Sequence, residues 1–200
     1  MILNSKYNFL KPFKVKKLLR LGRKFDGGYL VCSDALRQCE NLITLGVGDD
    51  TSFEIDFDKK KNSKIIQLYD YTVNNILFLK IIAKYFRRLI TFRTTINNFT
   101  YSISNYINFL KFINKKNVTL NKYRVVKKIR NHNDINLKKI FQKMHNNKNL
   151  LKIDIEGSEY EIIDDIISHS SKIKMLIVEF HWINKKKKLF VKSIKKLKNK

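Results

Sequence analysis

The feature that most constrains the fold of this 200-residue chain is a series of short apolar runs, each ending at a glycine or an acidic residue. These runs open the segments at residues 41–57, 63–70, 149–157 and 174–182. Further segments with helical periodicity stand at residues 74–92, 104–113 and 134–144. Continuous apolar strands that alternate with helices are typical of a parallel sheet covered on both faces. The sequence therefore predicts an α/β fold, and its length predicts one main domain.

The residues just after each predicted strand are the candidate site, because ligands bind at the carboxyl ends of the strands in such sheets. Gly46 and Gly48 follow the first run and allow close approach of the backbone to a ligand. Asp70 follows the second run, where a carboxylate can accept both hydroxyls of a ribose. Thr51 replaces the third glycine of a dinucleotide motif. Together the glycine loop and the spaced acid favour nucleoside binding, with a tight turn and a capping acid as the alternatives.

Two further strand ends carry carboxylates. Asp154 and Glu156 follow the third run, and Glu179 and His181 repeat their spacing in the fourth. Because strand side chains alternate, each pair is predicted to share one face, and neighbouring strands would bring all four together. Burying such groups costs several kcal/mol unless they are paired, which favours a functional site over structural acids. The four could alternatively hold Mg²⁺, but they match no dedicated metal motif, so we predict no metal site.

Local patterns give further predictions about helix ends and turns. Two pairs have the spacing of helix capping boxes: Thr51 with Glu54, and Ser158 with Glu161. The remaining predictions are a turn at residues 26–28 leading into a strand, a strand at 122–129, and an N-cap at Asp134 for the helix at 134–144.

The chain is strongly basic, with 42 Lys and Arg against 17 Asp and Glu and a formal net charge of +25. Such a charge fits a polyanionic partner such as nucleic acid, an acidic glycan or an anionic membrane face. The lysines are spread along a chain that is also rich in Asn and Ile. We therefore read the charge as compositional drift, keep nucleic acid as an alternative partner, and expect a small-molecule or glycan ligand.

The longest apolar segment, at residues 76–92, is interrupted by basic residues at helical spacing. It is too charged to span a bilayer. We interpret it as a solvated helix face, with membrane-surface contact as the alternative. The N-terminus lacks the apolar core of a secretory signal, and the spacing of Cys32 and Cys39 matches no zinc or redox motif. These features predict a cytoplasmic protein with reduced thiols, with a peripheral position at the inner membrane surface as the alternative.

The segment LLKIDIEGSEYEII resembles the signature of FkbM-type S-adenosylmethionine-dependent methyltransferases. DGGYLV, LGVGDDTSFEIDF, LYDYT and IVEFH occur in the order that this family shows, so the resemblance covers about residues 21–181. It implies a class I methyltransferase fold that is Rossmann-like, and S-adenosylmethionine as the cofactor.

The resemblance also implies roles for individual residues. Gly46 and Gly48 would back the methionine and ribose part of the cofactor, and Asp70 would hold the ribose hydroxyls. Asp154 and Glu156 would close the methyl-donor pocket beside the acceptor. A hydroxyl acceptor benefits from a general base, for which His181 is the first candidate and Glu156 the second.

One departure from the family concerns the C-terminus. Class I methyltransferase sheets usually finish with an antiparallel strand pair, whereas a short lysine-rich tail follows Trp182. We therefore expect the pair to be missing and the C-terminus to be shortened.

The predicted division is an N-terminal extension at residues 1–40, a methyltransferase core at 41–182 and a basic tail at 183–200, helical or disordered. The predicted function is O-methylation of a sugar or small metabolite; the alternatives are an RNA methyltransferase and a non-catalytic remnant.

Overall fold

The structure is a computed structural model that describes residues 5–24, 27–144 and 146–199. Asp26, the first residue of the predicted turn, lies outside the described residues. The strand predicted after that turn is present at Tyr29–Cys32. The strands are β1 (Leu18–Leu21), β2 (Tyr29–Cys32), β3 (Asn41–Leu45), β4 (Ile65–Tyr69), β5 (Val118–Asn121), β6 (Arg124–Val125), β7 (Asp134–Ile135), β8 (Asn149–Ile153) and β9 (Ile173–Val178). The α-helices are α1 (Ser33–Arg37), α2 (Ser52–Lys61), α3 (Asn75–Ile90), α4 (Ile96–Ile113), α5 (Leu137–Gln142), α6 (Ile163–Ser168) and α7 (Lys187–Lys198). Short 3₁₀ helices lie at Ser5–Leu10, Glu159–Glu161 and Ser170–Lys172.

The central sheet has the strand order β5-β4-β3-β8-β9, and all its strand pairs in the described part of the chain are parallel. The chain builds outward from β3 to β5 and then returns to build β8 and β9 on the other side. The adjacent ends of β3 and β8 therefore form the switch point at which such sheets bind ligands. This arrangement confirms the predicted parallel sheet.

Helices cover both faces of the sheet, which explains why its strands are continuously apolar. One core cluster joins strand residues such as Leu42 and Leu150 to helices α1, α2, α3 and α4. A second cluster joins Ile43 and Leu151, the next residues along the same strands, to α5, α6 and α7. Neighbouring residues of one strand thus serve opposite cores, and the predicted layered sandwich is confirmed.

The segment between α4 and α5 differs from its prediction. The strand predicted at residues 122–129 is wrong: β5 lies just before it and only β6 falls within it. Asp134 is not a helix cap, since it lies in β7 and its carboxylate accepts hydrogen bonds from the backbone of Arg130 and Asn131. The cap of α5 is Asn136, whose side chain accepts from the backbone N–H of Lys139.

Neither predicted capping box forms. Thr51 and Ser158 precede their helices, but their side chains make no capping hydrogen bond. Glu54 is instead buried and accepts a hydrogen bond from the Thr44 hydroxyl at 3.0 Å. A buried carboxylate needs such partners, so tertiary packing overrides the local pattern.

Asp58 ties α2 to the segment before β5. Its carboxylate accepts hydrogen bonds from Lys115 Nζ at 2.7 Å, Ser63 Oγ at 2.5 Å and Asn117 Nδ2 at 3.0 Å. Burial raises the pKa of Asp58, but these donors outweigh burial and hold that pKa below its ordinary value. The ionised form of Asp58 therefore stabilises the fold.

The β1–β2 hairpin and the tail helix pack on the core. The β1–β2 hairpin lies against α2, where the backbone N–H of Gly22 donates to Asp56 and that of Arg23 donates to Ser52. The tail forms α7, the helical alternative of the prediction, and packs beside α6. The division into extension, core and tail stays a prediction.

None of the helices in the described residues combines the length and hydropathy that a bilayer crossing requires.

Candidate active site

A cleft of about 510 Å³ opens at the carboxyl ends of β3, β4, β8 and β9, at the switch point of the sheet. This volume lies in the ordinary range for small-molecule sites, about 300–1,000 Å³. All six residues predicted for the site line the cleft: Gly46, Gly48, Asp70, Asp154, Glu156 and His181. The structure thus brings the predicted residues together, while their individual roles stay predictions.

The two glycines of the loop after β3 face different surroundings. A Cβ atom on Gly46 would lie 1.7 Å from the carbonyl oxygen of Asp154, and its φ is +81°. Gly46 is therefore required by the packing of two loops against each other. Gly48 has a φ of +61°, but a Cβ there would meet no atom within 4 Å. Gly48 is the position at which a ligand can approach the backbone.

Asp70 organises the glycine loop. Its Oδ2 accepts hydrogen bonds from the backbone N–H of Val47 at 2.9 Å and of Gly48 at 3.0 Å. Its Oδ1 accepts from the N–H of Thr72 at 2.7 Å and from the Thr72 hydroxyl at 2.6 Å. Because a carboxylate has about four acceptor positions, Asp70 is fully occupied here, and a ribose hydroxyl would have to replace a Thr72 donor.

Asp154, Glu179 and His181 form a cluster at the ends of β8 and β9. Nε2 of His181 lies 3.4 Å from Asp154 Oδ1 and 3.9 Å from Glu179 Oε1. The Tyr29 hydroxyl donates to Glu179 at 2.5 Å and lies 3.2 Å from Asp154. Burial, followed by the charge of Glu179, raises the pKa of Asp154. Burial and the two carboxylates raise the pKa of Tyr29 as well, so its hydroxyl stays a donor.

Glu159 holds the ring of His181 in one orientation through its contact with Nδ1. It is fully buried, and its Oε1 lies 3.0 Å from His181 Nδ1 while accepting the backbone N–H of His181 at 2.6 Å. Its Oε2 accepts the N–H of Gly157 at 2.5 Å. Carboxylates stand beside both ring nitrogens, but Glu159 is the nearest, at 3.0 Å from Nδ1 against 3.4 Å between Nε2 and Asp154, so it favours the tautomer with hydrogen on Nδ1. That tautomer leaves a lone pair on Nε2, which is the nitrogen nearer Asp154.

Lys152 is a buried cation beneath the cleft. Its Nζ lies 3.2 Å from Glu54 Oε1 and stands 5.3 Å from the ring centroid of Tyr29 and 5.6 Å from that of Phe53. Its charge lowers the pKa of Asp154 and so opposes the effect of Glu179. Lys152 therefore offsets part of the negative charge that gathers at the ends of β8 and β9.

The expected common face of Asp154 and Glu156 is wrong. Strand β8 ends at Ile153, and Glu156 has a φ of +48° in the turn that follows. Because strand alternation does not continue through such a turn, Glu156 is exposed on the rim and does not belong to the cluster. Its backbone carbonyl accepts a long hydrogen bond from the Trp182 indole at 3.4 Å.

Sequence reasoning missed three side chains near the cleft: Tyr29, Lys152 and Glu159. Lys152 offered a signal as a charge inside an apolar run, and Glu159 as a further acid beside the Asp154 segment. Tyr29 offered only its place after a Gly-Gly turn. Their roles depend on contacts between distant parts of the chain.

The cluster also has the donors of a cation site. Asp154, Glu179 and His181 each offer one ligand atom, and these atoms lie within 4.8 Å of one another. Carboxylate oxygens suit hard divalent ions, while the Tyr29 hydroxyl already bridges the two acids. The absence of a metal site stays a prediction.

A comparison with protein families places this cleft in context. Residues 32–199 match the model of the methyltransferase FkbM domain, which is most of the chain. The chain belongs to the FkbM methyltransferase family. No curated protein and no solved structure matches it significantly. The resemblance carried by LLKIDIEGSEYEII and its companion segments is therefore confirmed, as is the methyltransferase fold class.

The match begins at Cys32, the last residue of β2. Tyr29, which bridges the two carboxylates of the cluster, therefore lies just outside the matched range. In this FkbM methyltransferase the site is completed by a hairpin that precedes the matched residues.

Proposed function

We propose that the protein is an S-adenosylmethionine-dependent methyltransferase that methylates a hydroxyl of a sugar or another small metabolite. The observation that carries this proposal is the His181 ring at the cleft, held by buried Glu159 with Nε2 on the side of Asp154. An oriented imidazole is the usual means of taking a proton from a hydroxyl. Family membership supports methyl transfer in general.

The volume of the cleft and the shape of its backbone support this choice of cofactor. Gly48 leaves open space beside the loop, and Asp70 stands at the end of the next strand. We infer that Gly48 backs the cofactor and that the ribose hydroxyls replace the Thr72 donors on Asp70. Gly46 supports this arrangement through its contact with the Asp154 segment. When bound, S-adenosylmethionine supplies an electrophilic methyl carbon on a positively charged sulfur.

The chain's own residues then position the acceptor and move its proton. Nε2 of His181 would take the proton of the acceptor hydroxyl as the hydroxyl oxygen bonds to the methyl carbon and the carbon–sulfur bond of the cofactor breaks, and Glu159 would stabilise the imidazolium that forms. The proton afterwards passes to solvent. Such a base contributes about 10²–10⁴-fold to the rate, and alignment of the acceptor contributes several kcal/mol more. Glu156, exposed at the rim, is the second candidate for the base.

Calorimetric titration of the full chain with S-adenosylhomocysteine tests the cofactor assignment. We expect binding by the wild type and a loss of binding in Gly48→Val, whose side chain would enter the cleft. Ala83→Val places the same valine side chain on an exposed helix face and serves as the control.

Failure of the folded wild type to bind at millimolar ligand would refute the proposal and favour the non-catalytic remnant. Wild-type affinity in Gly48→Val would show that the loop does not contact the cofactor. An RNA substrate would instead be indicated by a gel shift that weakens steeply with salt.

A further inference from the structure

The α3–α4 hairpin carries an apolar surface that the fold does not cover. The two helices are inserted between β4 and β5 and pack through Phe78, which stacks on Tyr106 at 5.0 Å and contacts Phe109 at 4.5 Å between ring centroids. This side of the hairpin faces the first core cluster. The opposite side of α3 faces solvent.

The solvent side of α3 carries an apolar stripe, which we call the seam. Its members recur at alternating spacings of three and four residues, so they lie on one face of the helix. They are Ile76, Leu79, Ala83, Phe86 and Ile90. The four large side chains are 51–62% exposed. A soluble helix normally places polar residues on such a face, so the seam indicates a binding surface.

The seam continues onto the turn between the two helices. Phe92 is 96% exposed, with a φ of +54°, and Ile96 at the start of α4 is exposed as well. Phe86 contacts Phe99 across the hairpin at 5.7 Å between ring centroids. The apolar surface therefore runs from the first turn of α3 to the tip of the hairpin.

Basic side chains lie along one edge of the seam. Lys80, Lys84 and Arg87 each follow a seam residue directly, which places them about 100° further round the helix. Arg88 and Arg93 add positive charge near the tip. No acidic residue occurs anywhere between Asp70 and Asp134, so nothing on the hairpin offsets this charge.

We propose that the seam and the hairpin tip dock on the surface of an anionic lipid bilayer. An apolar face with adjoining Lys and Arg residues is the pattern of helices that lie in the membrane interface. Each basic residue near such a surface strengthens binding about fivefold. Nucleic acid would use the basic edge but would leave the exposed aliphatic side chains uncovered. A two-fold dimer through the seam would bring two acid-free basic helices together.

The docking surface lies beside the cleft. Tyr71 and Thr72 line the cleft immediately before α3 begins. The side chain of Asn105 on α4 donates a hydrogen bond to the backbone carbonyl of Asp49 in the glycine loop. The hairpin is thus held against the loops that form the site, although the proposal does not depend on the reaction catalysed there.

Co-sedimentation of the full chain with vesicles tests the proposal. We expect binding to vesicles of phosphatidylcholine and phosphatidylglycerol in equal parts, and much weaker binding to phosphatidylcholine alone or at high salt. Ile90→Ser with Phe92→Ser should weaken binding at least about tenfold through lost apolar burial. Arg87→Gln with Arg88→Gln should weaken binding to the anionic vesicles by an order of magnitude or more.

A matched control on α7 alters the same chemistry elsewhere. Leu189→Ser with Lys188→Gln and Lys195→Gln removes an exposed apolar residue and two exposed charges, and it should retain wild-type binding. A variant that combines Trp182→Phe with Phe92→Trp has its one tryptophan at the hairpin tip. Its emission maximum should move to shorter wavelength only when anionic vesicles are added.

The proposal would be overturned by any of three results. The wild type could fail to bind anionic vesicles at low salt, or the α7 variant could lose as much binding as the tip variant. A lipid-free dimer in sedimentation velocity that Leu79→Ser abolishes would assign the seam to a second copy instead. Since the altered residues are exposed, circular dichroism should show an unchanged fold in each variant.

Discussion

Replacement of Glu159 by glutamine tests whether this carboxylate positions His181. Glu159 accepts two hydrogen bonds from His181 and one from the backbone N–H of Gly157. A glutamine can present its oxygen to only one of these two partners, so its amide group meets an N–H on the other side. One buried donor loses its acceptor, which costs about 1–3 kcal/mol of stability. For a domain of this size each kcal/mol lowers Tm by about 2–4 °C.

The decisive assay is a long-range ¹H–¹⁵N correlation spectrum of the histidine rings. We expect wild-type His181 to carry hydrogen on Nδ1, and Glu159→Gln to lose this single tautomer. His169 is an internal reference, because its Nδ1 lies 2.8 Å from the backbone carbonyl of Asp165 and does not contact Glu159. Glu159→Asp, which keeps the charge, should restore the wild-type pattern in part.

Cofactor binding and methyl transfer should respond differently to the same change. The affinity for S-adenosylhomocysteine should stay within about twofold, while the transfer rate to a hydroxyl acceptor should fall about 10²-fold or more. An unchanged His181 tautomer in Glu159→Gln would refute the positioning role. So would an equal loss of cofactor binding and rate, which would indicate a general disturbance of the cleft.

Three further predictions concern the core. Asp58→Asn should lower stability by about 1–3 kcal/mol at neutral pH through the loss of charged hydrogen bonds. The folded-state pKa of Asp58 is lowered, so the stability that its ionised form contributes is present above the unfolded pKa and is lost as pH falls through the lower folded pKa. The difference in Tm between Asp58→Asn and the wild type should therefore shrink below about pH 4. A Tm difference that stays constant with pH would contradict this. Lys152→Met leaves buried Glu54 without its ion pair and should cost about 3–5 kcal/mol in chemical denaturation, whereas adding Glu54→Leu should recover most of the loss. Burial raises the pKa of the Cys39 thiol to about 11, so a thiol reagent at neutral pH should label Cys39 only after unfolding; rapid labelling of the folded chain at Cys39 would contradict this.

The parts of the site that the sequence predicts are those set by one strand at a time. A parallel sheet places the residue after each strand at a common edge. The positions of Gly48, Asp70, Asp154 and His181 after their apolar runs therefore predict that they lie along one edge of the sheet, and they line one cleft. This prediction needs only the alternation of apolar runs with helices, which is a clear pattern within short stretches of the sequence.

The parts that could not be predicted depend on where the backbone leaves regular geometry or on distant contacts. Glu156 follows the end of β8 in a turn with positive φ, so counting alternate residues gave the wrong face. Glu54 in α2 has the spacing of a capping residue, yet it pairs with Lys152 of β8. Tyr29 reaches Asp154 from a hairpin far away in the sequence. No local pattern contains these contacts.

The electrostatics of the cluster bears on how the proposed reaction would turn over. Burial and mutual repulsion raise the pKa of Asp154 beside Glu179, and Lys152 offsets only part of that repulsion. A positively charged ligand at these carboxylates relieves the remainder, because opposite charges favour the ionised form. On the proposed function the cofactor would bring such a charge on its sulfur to the cleft, and the product left after methyl transfer would be neutral. The cluster would then attract the product less than the cofactor, so acids that favour cofactor binding would also favour product release.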